Sequence, residues 1–155
     1  MLHFEVQTHI NRSVHDVFAF LSDFTHMPLW NYYVQSVTQM TPGTPHIGTV
    51  FDQIRRTDRQ QYVITEFIPD QQVAIQTLPP ARALTLRFHV ATDEQGTRVV
   101  ETWDLDTGLP GLMERLAQPR TRAAVAANVQ VLADLLNTGE ARLPDGRRVQ
   151  YTLDG

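Results

Sequence analysis

Residues 13–24 read Ser-Val-His-Asp-Val-Phe-Ala-Phe-Leu-Ser-Asp-Phe, and residues 26–31 follow with His-Met-Pro-Leu-Trp-Asn. Ser13 is suited to cap a helix N-terminus, with Asp16 three residues on as the partner of a weak capping box. Val14, Val17, Phe18, Leu21 and Phe24 share one helical face. Three turns are marginal in water, so this helix needs a surface to pack on. Pro28 is tolerated only in a first turn, which predicts one more turn over 25–31. Upstream, Leu2, Phe4, Val6, Thr8 and Ile10 alternate with His3, Glu5, Gln7, His9 and Asn11. Period 2 over ten residues is a half-buried strand. The opening is therefore strand, short helix, turn.

Residues 32–106 read as strands. The spacing places them at Tyr33 to Met40, Thr49 to Arg56, Gln61 to Ile68, Val73 to Thr77, Ala83 to Thr92 and Thr97 to Asp106. The breaks between them are short and rich in Gly, Pro and Asp, which favours antiparallel pairing in a meander. Gly108 to Asn137 is the long helical segment. Leu112, Met113, Leu116, Val125, Val129, Leu132 and Leu136 form its apolar stripe, and Gly139 stops it. Pro119 either kinks one helix or begins a second. Arg120 and Arg122 fit poorly beside a helix N-terminus and Glu114 fits well, which favours one kinked helix starting near Gly111. The tail, 140–155, contains the turn signal Leu143-Pro144-Asp145-Gly146-Arg147 and is either a small hairpin or a loose end.

The chain has 155 residues, which suits one domain with room for a core or a core plus a cavity. Its net charge of −4 gives no footprint for nucleic acid. All 13 basic residues are arginines, so no lysine is available for Schiff-base chemistry. There is no cysteine, which excludes disulfides and thiolate chemistry. No apolar run approaches the roughly 20 residues of a membrane span, and the N-terminus lacks signal-peptide features. A cytoplasmic location is the expectation. The six histidines show no helical metal-site spacing. Neither a metal nor another cofactor is expected, and there is no phosphate loop or nucleophile elbow.

The order strand, short helices, six strands, long helix is the helix-grip arrangement. Val14-x-x-Val17-Phe18-Ala19-Phe20-Leu21-Ser22-Asp23-Phe24 with Pro28-x-Trp30-Asn31 resembles the opening of the polyketide cyclase/dehydratase-like branch of the START/Bet v 1-like superfamily (SRPBCC). Gly48 to Phe51, Val63 to Pro69 and Gly96 to Val100 are similar to later stretches of the same family. The resemblance covers roughly residues 2–137 and sets a domain at 1–139 with 140–155 outside the pattern. It implies an α+β fold in which a curved seven-stranded antiparallel sheet wraps a long C-terminal helix. It also implies a hydrophobic cavity between them, and a monomer or homodimer. Members bind lipids, hormones, polyketides or other apolar molecules, and some are cyclases or dehydratases. Such a fold supplies a cavity rather than a chemistry.

Strand parity sharpens this expectation. Leu84, Leu86, Phe88 and Val90 share the face expected to be concave, leaving Thr85, Arg87 and His89 outward. Val99, Glu101, Trp103 and Leu105 form the inner set of the last strand. For 61–68 either Tyr62, Ile64, Glu66 and Ile68 or Val63, Thr65 and Phe67 face inward. The candidate ligand wall is thus Trp30, Phe51, Ile64, Leu86, Phe88, Glu101, Trp103, Met113 and Leu116. Trp30 reads equally as a core anchor for the short helices. Glu66 and Glu101 are the candidate general acid/base carboxylates, since desolvation in a cavity raises a carboxyl pKa. Each can instead hydrogen-bond a ligand hydroxyl or pair with an arginine. Three functions follow: a carrier or sensor of a small hydrophobic molecule, a cyclase or dehydratase, or a protein-interaction module whose tail, through Val149 and Tyr151, pairs with a sheet edge.

Overall fold

In the computed structural model, which describes residues 1–153, seven strands form one antiparallel sheet. They are β1 (Leu2–Ile10), β2 (Val34–Gln39), β3 (Val50–Arg55), β4 (Arg59–Ile68), β5 (Gln72–Thr77), β6 (Leu84–Asp93) and β7 (Gly96–Leu105). Their order is β1-β7-β6-β5-β4-β3-β2, a meander from β2 to β7 with β1 added beside β7. Helix α1 (Val14–Ser22) and a 3-10 helix (Phe24–Leu29) carry the chain from β1 across to β2. Helix α2 (Gly111–Thr138) lies in the curve of the sheet, with Val125 and Val129 packed on Phe4 and Val6 of β1. This is the α+β helix-grip architecture that the element order implied.

Local chemistry explains each element. Ser13 caps α1, its Oγ accepting from the Asp16 N–H at 3.2 Å. Asp23 does the same for the 3-10 helix, accepting from the Thr25 N–H at 3.1 Å. Pro28 fits within that helix. Helix α2 starts at Gly111 and runs continuously through Pro119, as the single-helix reading required. Pro119 removes one helical donor, and the turn it interrupts is exposed, so water can serve the freed carbonyl. Glu114 in the first turn of α2 pairs with the chain's N-terminal ammonium and accepts from the Thr107 hydroxyl. An acid there also suits the helix dipole. Gly139 ends the helix at φ 86°, a left-handed position that glycine takes without strain. Gly96 is equally constrained: at φ 125°, a Cβ would meet the Ile10 carbonyl oxygen at 2.5 Å.

The tail is a hairpin, β8 (Glu140–Arg142) with β9 (Arg148–Gln150), paired with itself and separate from the large sheet. Val149 and Tyr151, expected to reach a sheet edge, do not join the large sheet of their own chain. Both pack on the core, together with the buried Leu143. The Tyr151 ring meets Phe20 at 4.8 Å and His26 at 5.1 Å. The hairpin fastens onto the α1 end of the domain.

The core is asymmetric. At the α1 end, aromatic rings fill the concavity. Phe24 lies 5.5 Å from Phe51, 5.8 Å from Tyr62 and 6.4 Å from Phe88, and Trp30 lies 5.9 Å from Phe88. Under the middle of α2, over strands β3 to β7, side chains do not close the space.

Candidate functional site

That open space is a cavity of about 330 Å³. Its floor comes from Ile75 of β5, Leu84 and Leu86 of β6 and Trp103 of β7, and its roof from Ala124, Val125 and Asn128 of α2. Gln53 of β3 and Tyr62 of β4 close one side, and Arg55 and Arg120 also border it. Among the described residues, no aspartate or glutamate lines it. The volume sits near the lower end of the roughly 300–1,000 Å³ of small-molecule sites.

Sequence positions explain this lining. Inward-facing residues of β6 alternate, so Leu84 and Leu86 meet the cavity while Arg87 and His89 turn outward. On α2, Ala124 leaves room where a larger side chain would fill it. Asn128 interrupts the apolar stripe between Val125 and Leu132. Its amide accepts from the Tyr32 N–H at 3.3 Å and donates to Asn31 Oδ1 at 3.3 Å, tying α2 to the turn after the 3-10 helix. Thr77 is likewise satisfied: its hydroxyl donates to the Arg82 carbonyl and accepts from the Leu84 N–H.

Two wall residues are not. Gln53 is 4% exposed and Tyr62 1%. Gln53 Oε1 and the Tyr62 hydroxyl have no hydrogen-bond partner among the described residues. A buried, unpaired polar atom costs about 1–3 kcal/mol. Burial, aided by the charge of Asp23, pushes the Tyr62 phenol well up, so its proton stays on.

The two candidate carboxylates part company. Glu101 faces inward, 2% exposed, between Val6 of β1 and Phe88 of β6. Its Oε1 accepts from the Trp103 indole N–H at 2.7 Å, and its Oε2 has no partner among the described residues. Burial pushes its pKa up to about 7, against a smaller opposing effect of the indole hydrogen bond. It does not itself line the cavity; Trp103 does. Glu66 faces the other way. The register of β4 against β5 shifts between Ile64 and Glu66, so Tyr62 and Ile64 point inward, and beyond the bulge Phe67 does. Glu66 then pairs with Arg87, Oε2 to Nε at 2.8 Å, and accepts from Gln72 at 2.9 Å. The arginine hydrogen bond holds its carboxyl below the usual range. Neither strict alternation proposed for 61–68 survives, because a bulge switches parity midway.

Of the other sequence candidates, Leu86 and Trp103 line the cavity. Trp30, Phe51, Ile64 and Phe88 belong to the packed core and stand outside the cavity wall. Parity identified the inner face correctly but says nothing about how far the α1 segment fills it. Met113 and Leu116 are corrected: they are 53% and 74% exposed, on a shallow outer groove at the start of α2. They satisfy helical spacing, but this part of the helix overhangs the sheet. Gln53, Tyr62 and Asn128 were missed. The signal for Tyr62 and Asn128 was a polar side chain in an otherwise apolar inner set; Gln53, between Phe51 and Arg55 on β3, gave no such signal.

A curved antiparallel sheet gripping one long helix, with a cavity left between them, defines the helix-grip class. The chain belongs to the family described as polyketide cyclase / dehydrase and lipid transport, which matches residues 1–137. A search of curated proteins by sequence found no match. Solved structures of similar fold include a protein of Thermus thermophilus, with a TM-score of 0.70 and 14% identity over 87% of this chain and 97% of that one. The Aha1 dimer from Colwellia psychrerythraea gives a TM-score of 0.67 at 18% identity, covering 90% of this chain and 98% of the other. The di-domain ARO/CYC StfQ from the steffimycin biosynthetic pathway gives 0.66 at 15% identity, over 87% of this chain and 50% of StfQ. At these identities the likeness is one of fold. No helix among the described residues is long and apolar enough to cross a membrane.

Proposed function

We propose that the protein binds a small, largely apolar molecule in the cavity between sheet and α2, as a carrier or sensor. The observation that carries this reading is the cavity itself, about 330 Å³ of space walled by Ile75, Leu84, Leu86, Trp103 and Val125 in an otherwise close-packed domain. Family membership supports it. The volume suits a molecule of two or three rings better than a long-chain lipid.

Binding is favoured over catalysis by the placement of Glu101. An acid/base carboxyl must reach the proton it moves, directly or through one water. Glu101 lies behind the Trp103 indole, and Glu66 is ion-paired on the far face. Glu101 instead acts on the site by holding the indole through its N–H.

A thermal-shift screen of small aromatic and alicyclic compounds tests the reading. A ligand at 100 times its Kd stabilises the folded state by about 2.7 kcal/mol, a rise of several degrees for a domain this size. Ala124→Phe, which fills the cavity from α2, is expected to abolish that rise. A shift equally large in this variant would contradict the assigned site.

A further inference from the structure

Three buried side-chain oxygens are left without a hydrogen-bond partner among the described residues, and two of them, Gln53 Oε1 and the Tyr62 hydroxyl, belong to the cavity wall. The deficit is local, since Thr77 and Asn128 in the same wall find partners within the protein. Phe51 stands opposite Tyr62 and Gln53 opposite Gln60 across β3 and β4. Gln53 and Tyr62 are therefore diagonal neighbours on the inner face, a spacing that long and aromatic side chains can span. Both side chains belong to the wall of the same cavity.

The chemistry of that group follows from the two atoms. Gln53 Oε1 only accepts; the phenol of Tyr62 both donates and accepts. A hydroxyl donates to the first and accepts from the second through one atom. It also serves if the Gln53 amide turns over, by accepting from the amide N–H and donating to the phenol oxygen. A carbonyl cannot donate to Gln53. An ammonium cannot accept from Tyr62, and among the described residues it would find two arginines and no carboxylate around the cavity.

We propose that the cavity selects a hydroxylated ring, a phenol or an alicyclic alcohol, whose hydroxyl bridges Gln53 and Tyr62 while the ring lies against Trp103, Leu84 and Leu86. This rests on the ligand-binding reading above and adds the polar determinant to it. A site built to hydrogen-bond a hydroxyl discriminates strongly against the analogue that lacks it, because its own buried polar atoms are then left unpaired.

The test compares 2-naphthol with naphthalene by calorimetric titration of the full chain. The wild type is expected to bind 2-naphthol at least tenfold more tightly. The near-isosteric variants Tyr62→Phe and Gln53→Met are each expected to reduce that preference several-fold, with naphthalene affinity held within about twofold. Equal wild-type affinities would overturn the hydroxyl selectivity and leave the ligand-binding reading standing. A preference undiminished in both variants would overturn the assignment to this pair. Binding of neither compound would overturn the ligand-binding reading together with the inference. Circular dichroism of each variant confirms its fold, and if one fails to fold, the wild-type comparison and the other variant decide.

Discussion

Phe24→Ala lowers the unfolding free energy by about 3–5 kcal/mol, the range for deleting a fully buried phenylalanine. The ring is 2% exposed and meets Phe51, Tyr62 and Phe88 at 5.5–6.4 Å. Those partners come from β3, β4 and β6, so Phe24 is the point where the helical segment after β1 is fixed to the middle of the sheet. The loss combines the transfer free energy of the ring with a new void beside strands too well paired to collapse. Urea unfolding measures it, as a lower midpoint at an unchanged slope. A loss under about 1 kcal/mol would mean that the ring does not plug the concavity.

Glu101→Gln removes a pH dependence that the wild type carries. Burial pushes the folded carboxyl up to about 7 from its ordinary value of 4.5. Below about pH 4.5 both states hold the proton and Glu101 contributes nothing to the dependence. Between about 4.5 and 7 the unfolded chain releases its proton while the folded chain keeps it, so wild-type stability falls as pH rises. The loss is complete above about pH 7 and amounts to about 3 kcal/mol at roughly 1.4 kcal/mol per pH unit. Glutamine keeps an acceptor for the Trp103 N–H and mimics the protonated acid without the ionisation. The difference between variant and wild type is therefore expected to be near zero at pH 4.5 and about 3 kcal/mol in the variant's favour at pH 8. Taking the difference cancels the other carboxylates, among them Asp52 and Glu66, whose arginine partners lower their pKa values and act at lower pH. A difference that stays flat from pH 4.5 to 8 would contradict the buried position of Glu101.

Much of the fold was readable because its signals are periodic. Strand boundaries from alternation lie within two residues of those observed, and the Ser13 cap and Gly139 stop fall where the chemistry of helix ends puts them. The site was legible only in part. Period 2 gave the inner face of β6 and β7, and with it Leu86, Trp103 and the burial of Glu101. It failed on β4, where one extra residue between Ile64 and Glu66 reverses the faces and carries Glu66 to an arginine outside. Helical spacing grouped Met113 and Leu116 with Val125 and Val129, although only the second half of the stripe faces the sheet. Periodicity reports which face a residue is on; it carries no information on which neighbour covers it. Gln53 and Tyr62 were passed over because a buried polar residue is informative only once its partners can be counted.

The central claim is that the space between sheet and α2 is the ligand site. Methyl and indole NMR shifts during titration with 2-naphthol test it most directly. Saturable perturbations are expected at Ile75, Leu84, Leu86, Val125 and the Trp103 indole, with Met113 and Leu116 unmoved. Perturbations confined to Met113 and Leu116, or a cavity wall silent at saturating ligand, would contradict it.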